Sequence, residues 1–181
     1  MRAASRPAAQ LGISLIEMMI TVALFVILAL MALPMYTTWL ASQQVRTATE
    51  AVLDGLRSAQ GEAIKRNQAV RFVLTPATGW EAQLVADDSV LKFANFEEGR
   101  LKVKFTATPL GTTTVAFDGI GRVLDKDLAP LAARITWEVD SSTVSSGVRK
   151  LRVIVDTAAA TGRAIRSCDP APTADSTRAC P

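Results

Sequence analysis

The residue whose type and position most clearly indicate a chemical role is Glu17, a carboxylate inside a mostly apolar segment. The segment runs for 21 residues from Ile13 to Leu33, and its only other polar residues are Ser14 and Thr21. An unpaired carboxylate in lipid costs on the order of a few kcal/mol, so Glu17 requires a partner or a function. A cationic amine would offset this cost, and it can belong to the same chain or to a neighbouring one.

Several common kinds of catalytic and metal site need residues that this chain lacks or has in small number. It has no histidine, which excludes Ser/His/Asp and Cys/His nucleophile systems and histidine-bound zinc or haem. Cys168 and Cys180 are its only cysteines, too few for a four-cysteine zinc or iron–sulfur site. The single glycine-rich loop, at 117–122, lacks the Lys-Ser/Thr and the following helix of a phosphate-binding loop. We therefore predict a protein that is not an enzyme, with no catalytic residue, no metal and no cofactor.

The apolar segment has the length of a membrane span. As a helix it would extend about 30 Å, which matches the hydrocarbon core of a bilayer. Arg2 and Arg6 precede the segment and no positive charge follows before Arg46, so the head should stay cytoplasmic and the remainder should be exported. A cleaved secretory signal or a plain single-pass anchor would explain these features, but both leave Glu17 and Pro34 unexplained.

The start of the segment resembles the processing motif of type IV prepilins. Gly12 is followed by Ile13-Ser14-Leu15-Ile16-Glu17, which matches a glycine, a cleavage point, four mostly apolar residues and a glutamate. The resemblance implies that a dedicated membrane peptidase cuts between Gly12 and Ile13 and methylates the new N-terminus. It also implies assembly roles for Glu17 and for Pro34, because pilins often carry proline at this distance from the cut. Glu17 would pair with the Ile13 amine of its own or a neighbouring subunit.

A second helical pattern continues beyond the apolar segment. Apolar residues recur every three or four positions and form one stripe, which predicts a helix that packs on a sheet and ends near Asn67. The stripe consists of Val45, Ala48, Val52, Leu56, Ala59 and Ala63. We divide the chain into a leader at 1–12, a transmembrane and filament-core helix at 13–35, its amphipathic continuation at 36–67, and an exported β-rich domain at 68–181.

After Asn67 the apolar residues alternate with a period of two, as in strands. Val70, Phe72 and Leu74 fall on one face of the first candidate strand, and the turn at 75–79 precedes the second, which begins at Trp80. Five further candidate strands lie at 90–94, 101–107, 113–118, 133–139 and 149–155. One long helix followed by many short strands predicts an α+β, pilin-like fold, with antiparallel sheets packed on the second half of the helix.

The stretch from Ala51 to Phe72 is similar to the GspH/FimT family of minor pilins and pseudopilins. The matching residues lead from a helical stripe into a valine-rich strand, and Gln60 and Gly61 depart from the usual Arg-Ser. The residues that match the family are Leu56, Ala59, Glu62, Ala63, Ile64, Arg66 and Val70. The loop at 117–122 also resembles a Phe-x-x-x-Gly-Arg element of this family.

The family resemblance implies a structural subunit rather than an enzyme. Such a subunit would sit in the bacterial inner membrane as a single-pass protein, with a cytoplasmic N-terminus and a periplasmic domain, before joining a filament. Its implied partners are major and minor pilins, the prepilin peptidase and the inner-membrane assembly platform. The alternatives of a type IV pilus and a type II secretion pseudopilus remain open.

The C-terminal end is basic and suggests an alternative role in DNA uptake. Residues 149–181 hold six basic and three acidic side chains. Thr161–Cys168 resembles the Gly-Arg-x-Arg element of FimT-like minor pilins that bind DNA, with one extra residue between the arginines. By this resemblance Arg163 and Arg166, together with Arg178, would contact phosphates of double-stranded DNA. The alternative is that these arginines are solvated beside Asp169 and Asp175.

Cys168 and Cys180 enclose eleven residues that are mostly small or polar. In an exported domain, an even cysteine count around a short loop predicts one disulfide, with two free thiols as the alternative. Such a disulfide would lower the conformational entropy of the unfolded chain and so stabilise the domain by about 3 kcal/mol.

Overall fold

The computed structural model describes residues 14–75, 78–97, 101–144, 146–156, 164–171 and 179–180. One helix, α1 (Leu15–Arg66), precedes the strands and includes Pro34. Nine strands follow in the described part of the chain: β1 (Val70–Thr75), β2 (Gly79–Leu84), β3 (Val90–Asn95), β4 (Val103–Thr108), β5 (Thr114–Phe117), β6 (Val123–Leu124), β7 (Ile135–Ser141), β8 (Leu151–Val155) and β9 (Ile165–Cys168).

The chain forms two compact units, Met1–Thr37 and Thr38–Pro181. In the first unit the described part of α1 keeps its large apolar side chains exposed, whereas in the second unit α1 buries one stripe. The buried stripe includes every residue expected from the sequence, and it begins one turn earlier, at Ala41. Spacings of three and four residues place these side chains on one face of a helix, which confirms the predicted packing.

The helix ends at Arg66, as the sequence predicts. Asn67 follows with a φ of 50°, a left-handed conformation that asparagine tolerates better than most residues. The Gln68 amide then donates to the Ala63 carbonyl over 3.2 Å. Gly119 approaches this corner so closely that an added Cβ would lie 2.5 Å from Asn67 Oδ1. The helix end and the loop at 117–122 are therefore packed together.

The strands form two antiparallel sheets. One has the order β3-β2-β1-β5-β6 and the other β4-β7-β8-β9, and each strand pair is antiparallel. All seven strands expected from the sequence are present, which confirms the α+β fold. The sequence did not predict β6 and β9, because β6 has only two residues and the four residues of β9, Ile-Arg-Ser-Cys, do not alternate between apolar and polar.

The core of the second unit is centred on aromatic residues. Phe72 on β1 lies 5.5 Å from the ring of Trp80 and 5.8 Å from the ring of Trp137, centroid to centroid. Trp137 Nε1 donates to the Thr112 carbonyl over 2.7 Å, so its one polar atom is satisfied while the ring is fully buried. Leu56 of α1 belongs to the same cluster. These contacts join α1 to both sheets.

The glycine-rich loop at 117–122 is a closed turn that Asp118 organises. Its Oδ1 accepts hydrogen bonds from the amides of Ile120 and Arg122, and its Oδ2 accepts one from Arg122 Nε over 2.7 Å. Partial burial opposes ionisation, but these hydrogen bonds and the Arg122 charge together lower the pKa of Asp118. Because the folded-state pKa is lowered, this stabilisation is present above the unfolded pKa and is lost as the pH falls through the folded one.

Candidate functional site

Glu17 lies in the first turn of α1, where its side chain is exposed. The amides of Glu17 and Met18 donate to the Ser14 carbonyl over 3.1 and 3.2 Å. A carboxylate in this turn is favoured by the partial positive charge of the helix N-terminus. Glu17 forms no ion pair with another residue that the structure describes. Gly12 and Ile13 lie outside the described residues.

The described part of the first unit presents an apolar surface. The side chains of Leu15, Phe25 and Met31 are each more than 70% exposed. The helix to which they belong is long and apolar enough to cross a membrane, and none of its most apolar stretch is buried. An exposed apolar surface of this extent is unfavourable in water, so it requires lipid or other apolar helices as its surroundings.

Pro34 lies within α1 near the end of the first unit. It has no amide hydrogen and therefore cannot donate the helical hydrogen bond to the Leu30 carbonyl. Thr37 Oγ1 donates to the Pro34 carbonyl over 3.0 Å, and Thr21 Oγ1 donates to the Met18 carbonyl in the same manner. Both hydroxyls thus have backbone partners within the helix, which lowers the cost of placing them in apolar surroundings.

At the C-terminal end, Cys168 and Cys180 form a disulfide, as predicted. The adjacent Asp169 is 1% exposed, and its carboxylate accepts hydrogen bonds from Arg149 and from the Ala171 amide. The Cys180 amide donates to the Asp169 carbonyl over 3.1 Å. The disulfide and the ion pair between the half-exposed Arg149 and the buried Asp169 together hold the described part of the C-terminal loop against the second sheet.

The proposed DNA-binding residues are only partly described. Arg163 and Arg178 lie outside the described residues, and Arg166 lies on β9 with its Nη2 atom 3.9 Å from Asp156 Oδ2. The Nε atom of Arg166 is buried without a hydrogen-bond partner in the structure. Arg166 therefore points partly into the protein and is close to a carboxylate.

Carboxylates on neighbouring strands compensate the other described cations of this end. Lys150 Nζ lies 3.1 Å from Asp140 Oδ2, and Arg152 Nη2 lies 2.8 Å from Glu138 Oε2. The contacts with Asp140 and then with Glu138 raise the pKa of Lys150. The sequence missed these acids as partners because each lies at least ten residues from its cation. The basic excess of the C-terminal residues is therefore reduced in the fold.

Among the described residues, no group of three or more His, Cys, Asp or Glu side chains is placed so that it could hold a metal ion. Asp125, which has other acids nearby in the sequence, accepts hydrogen bonds from the amides of Asp127 and Ala129 at 2.9 Å each. Its carboxylate thus closes a loop.

Comparison with known proteins adds evidence from two family descriptions and two structures. The family described as Type II transport protein GspH matches residues 48–167, and the prokaryotic N-terminal methylation motif matches residues 7–33. Two crystal structures of the type IV minor pilin FimU of Pseudomonas aeruginosa PAO1, in space groups P21 and P65, are similar, with TM-scores of 0.52 and 0.51. Each is 15% identical, and they cover 76% and 72% of this chain and 96% and 98% of their own.

At that identity the likeness to FimU shows a shared fold. A search of curated proteins finds no match. The GspH match alone covers about two thirds of the chain. The N-terminal methylation motif overlaps the apolar segment, and the long helix with two antiparallel sheets is the fold of a minor pilin. The chain therefore belongs to the GspH family and is a minor pilin or pseudopilin with a structural role.

Proposed function

We propose that this chain is a minor subunit of a type IV pilus, cleaved between Gly12 and Ile13 and methylated at Ile13. Its apolar helix at 13–35 would then become part of the filament core. The observation that supports this most is the exposed apolar surface of the first unit, with Glu17 unpaired among described residues at its start. Lipid can cover this surface before assembly, and the helices of other pilins can cover it afterwards.

In this proposal Glu17 selects the filament over the membrane. A lone carboxylate is unfavourable in lipid, whereas cleavage creates a cationic amine at Ile13 of each subunit. Pairing between Glu17 and the Ile13 amine of a neighbour removes an unpaired charge from each subunit. The same step leaves the apolar side chains of α1 in apolar surroundings, so assembly loses little of their burial. Pro34 would loosen the helix so that it can adapt to its neighbours.

The proposal also assigns a location and partners. Arg2 and Arg6 would keep the leader cytoplasmic, so the second unit would reach the periplasm of the bacterial inner membrane. The disulfide between Cys168 and Cys180 is consistent with an oxidising compartment. The partners would be the prepilin peptidase, the assembly platform and other pilins. A type II secretion pseudopilus is the alternative destination, and the same chemistry would apply there.

The intact mass of the protein from the membrane fraction tests this processing. We expect the loss of residues 1–12 and a gain of about 14 Da from one methyl group. Gly12→Leu should retain the leader, because the residue before the cut would no longer be glycine, while the matched change Gly61→Leu on an exposed part of α1 should not affect processing. A mature chain that keeps its first twelve residues, or one cut well after Gly12, would rule out the proposal.

A second testable expectation concerns the alternative role in DNA uptake. Because the described cations of the C-terminal end have carboxylate partners, we expect no salt-sensitive retardation of a DNA duplex in a gel-shift series. The variant Arg163→Ala/Arg166→Ala/Arg178→Ala should behave like wild type, as should a control with Arg46, Arg57 and Lys65 replaced by alanine. Retardation that weakens with salt and is lost only in the first variant would support a DNA receptor instead.

A further inference from the structure

Two aromatic residues lie just beyond the apolar segment of α1. Tyr36, the only tyrosine of the chain, is 58% exposed, and Trp39 is 56% exposed. The other two tryptophans, Trp80 and Trp137, are buried in the core of the second unit, where their rings stabilise the fold by packing. The exposed rings of Tyr36 and Trp39 contribute much less to that core, so they require another explanation.

The distance of these two residues from Glu17 corresponds to the thickness of a membrane core. Tyr36 and Trp39 follow Glu17 by 19 and 22 residues, which is about 28 and 33 Å along a helix. The hydrocarbon core of a bilayer is about 30 Å thick. When the carboxylate of Glu17 lies at one boundary of the core, the two aromatic rings therefore lie at the other boundary.

No charged side chain fixes this end of the apolar segment. The sequence has no Asp, Glu, Lys or Arg between Glu17 and Arg46, and Arg46 pairs with Glu50 over 3.1 Å. Tryptophan, tyrosine, lysine and arginine are the residues that hold the end of a span at the membrane surface. With no cation near this end, the tyrosine and the tryptophan are the residues that can do so.

The packed part of the domain begins directly after these rings. The first buried residue of α1 is Ala41, which is 3% exposed and lies two positions after Trp39. The connection between β7 and β8 reaches the same place, because a Cβ added to Gly147 would lie 3.2 Å from Thr38 Cγ2. Little chain therefore separates the rings from the part of α1 that packs on the sheets.

We propose that Tyr36 and Trp39 anchor this chain at the periplasmic boundary of the bilayer by contacting the headgroup region of phospholipids. This anchoring rests on the proposed function, because it needs the apolar segment to span a membrane. Each ring would lie near the lipid ester groups, with the indole N–H and the phenol O–H directed toward ester oxygens, phosphates or water. A spacing of three residues places both side chains on one face of α1. Ala41 would then lie within one helical turn of the bilayer surface.

Depth-dependent quenching of Trp39 fluorescence tests this anchoring. The full-length protein is reconstituted into phosphatidylethanolamine and phosphatidylglycerol vesicles that carry a nitroxide either near the headgroup or near the end of the acyl chain. The difference between wild type and Trp39→Phe isolates the signal of Trp39 from that of the buried tryptophans. We expect the nitroxide near the headgroup to quench Trp39 at least about twofold more than the one at the chain end. Stronger quenching from the chain end, or none from either position, would overturn the proposal.

Two relocated tryptophans in the Trp39→Phe background provide matched controls for depth. Leu24→Trp is at an exposed position inside the apolar segment, and Gln43→Trp is at an exposed position one helical turn past Trp39. The chain-end nitroxide should quench Leu24→Trp most, whereas both nitroxides should quench Gln43→Trp less than Trp39. Iodide in the water should quench Gln43→Trp most and Leu24→Trp least, with Trp39 between them. An iodide response of Trp39 equal to that of either control would contradict an interfacial position.

Two further measurements separate a failure of the anchoring from a failure of the proposed function. Flotation with the vesicles reports the membrane span, and the intact mass of the mature subunit reports leader cleavage, and neither depends on Trp39. A protein that floats and is cleaved, but shows no interfacial quenching, would contradict the anchoring alone. Quenching that weakens as the protein-to-lipid ratio rises would also contradict it, because a second copy would then cover the rings.

Discussion

Replacing Glu17 with alanine is expected to lower incorporation of the subunit into filaments at least about tenfold, which corresponds to about 1.4 kcal/mol. Two effects act in the same direction. Alanine removes the carboxylate that, in the proposed assembly, would pair with the Ile13 amine of a neighbour, and it also removes the cost that Glu17 would have in lipid. The variant is therefore more stable in the membrane and less stable in the filament. The ratio of subunit in sheared filaments to subunit in membranes measures the effect.

Two further variants separate the charge of Glu17 from its size and position. Glu17→Gln keeps the shape but not the charge and should incorporate as poorly as the alanine variant. Thr21→Ala lies one turn further along α1, and its hydroxyl has a partner within the helix, so it should incorporate normally. Wild-type incorporation of Glu17→Ala would show that pairing with the amine does not drive assembly. The comparison requires that the leader is removed from each variant as it is from wild type, which the intact mass of the mature subunit shows.

Replacing Gly55 with alanine is expected to lower the free energy of unfolding by about 1–3 kcal/mol, as extra volume in a filled core usually does. A Cβ at this position would lie 2.5 and 2.7 Å from two ring atoms of Trp80 and 2.8 Å from Phe72. Both rings are buried and pack on each other, so neither can move without disturbing the core. Denaturant unfolding followed by tryptophan fluorescence measures this change.

Gly61 provides the matched control, because it lies on the same helix with the opposite surroundings. Nothing lies within 4 Å of an added Cβ at Gly61. Gly61→Ala should therefore raise the free energy of unfolding by about 0.5–1 kcal/mol through the better helix propensity of alanine. If Gly55→Ala raised the free energy of unfolding as Gly61→Ala does, the close packing of α1 on Trp80 would be contradicted.

The sequence predicted the secondary structure wherever its periodicity was long enough to read. The stripe from Val45 to Ala63 identified the buried face of α1, and alternation identified seven strands. It could not show how the strands divide between two sheets. β3 and β4 follow each other in the chain yet belong to different sheets. Which strands lie at the edges of the two sheets became known only from the fold.

By itself, the sequence determined the features that depend on neighbouring residues. The apolar segment, Glu17 within it, the leader motif and the end of the helix near Asn67 are local patterns, and so their physical meaning is visible in a short window. Only the tertiary structure decided which charges are compensated. Arg152 pairs with Glu138 because strand register places the two residues opposite each other. Arg149 pairs with Asp169, which is 20 residues away in the chain, because the fold brings the ends of their strands together. For the same reason only the fold distinguishes Gly55 under Trp80 from Gly61 on the surface.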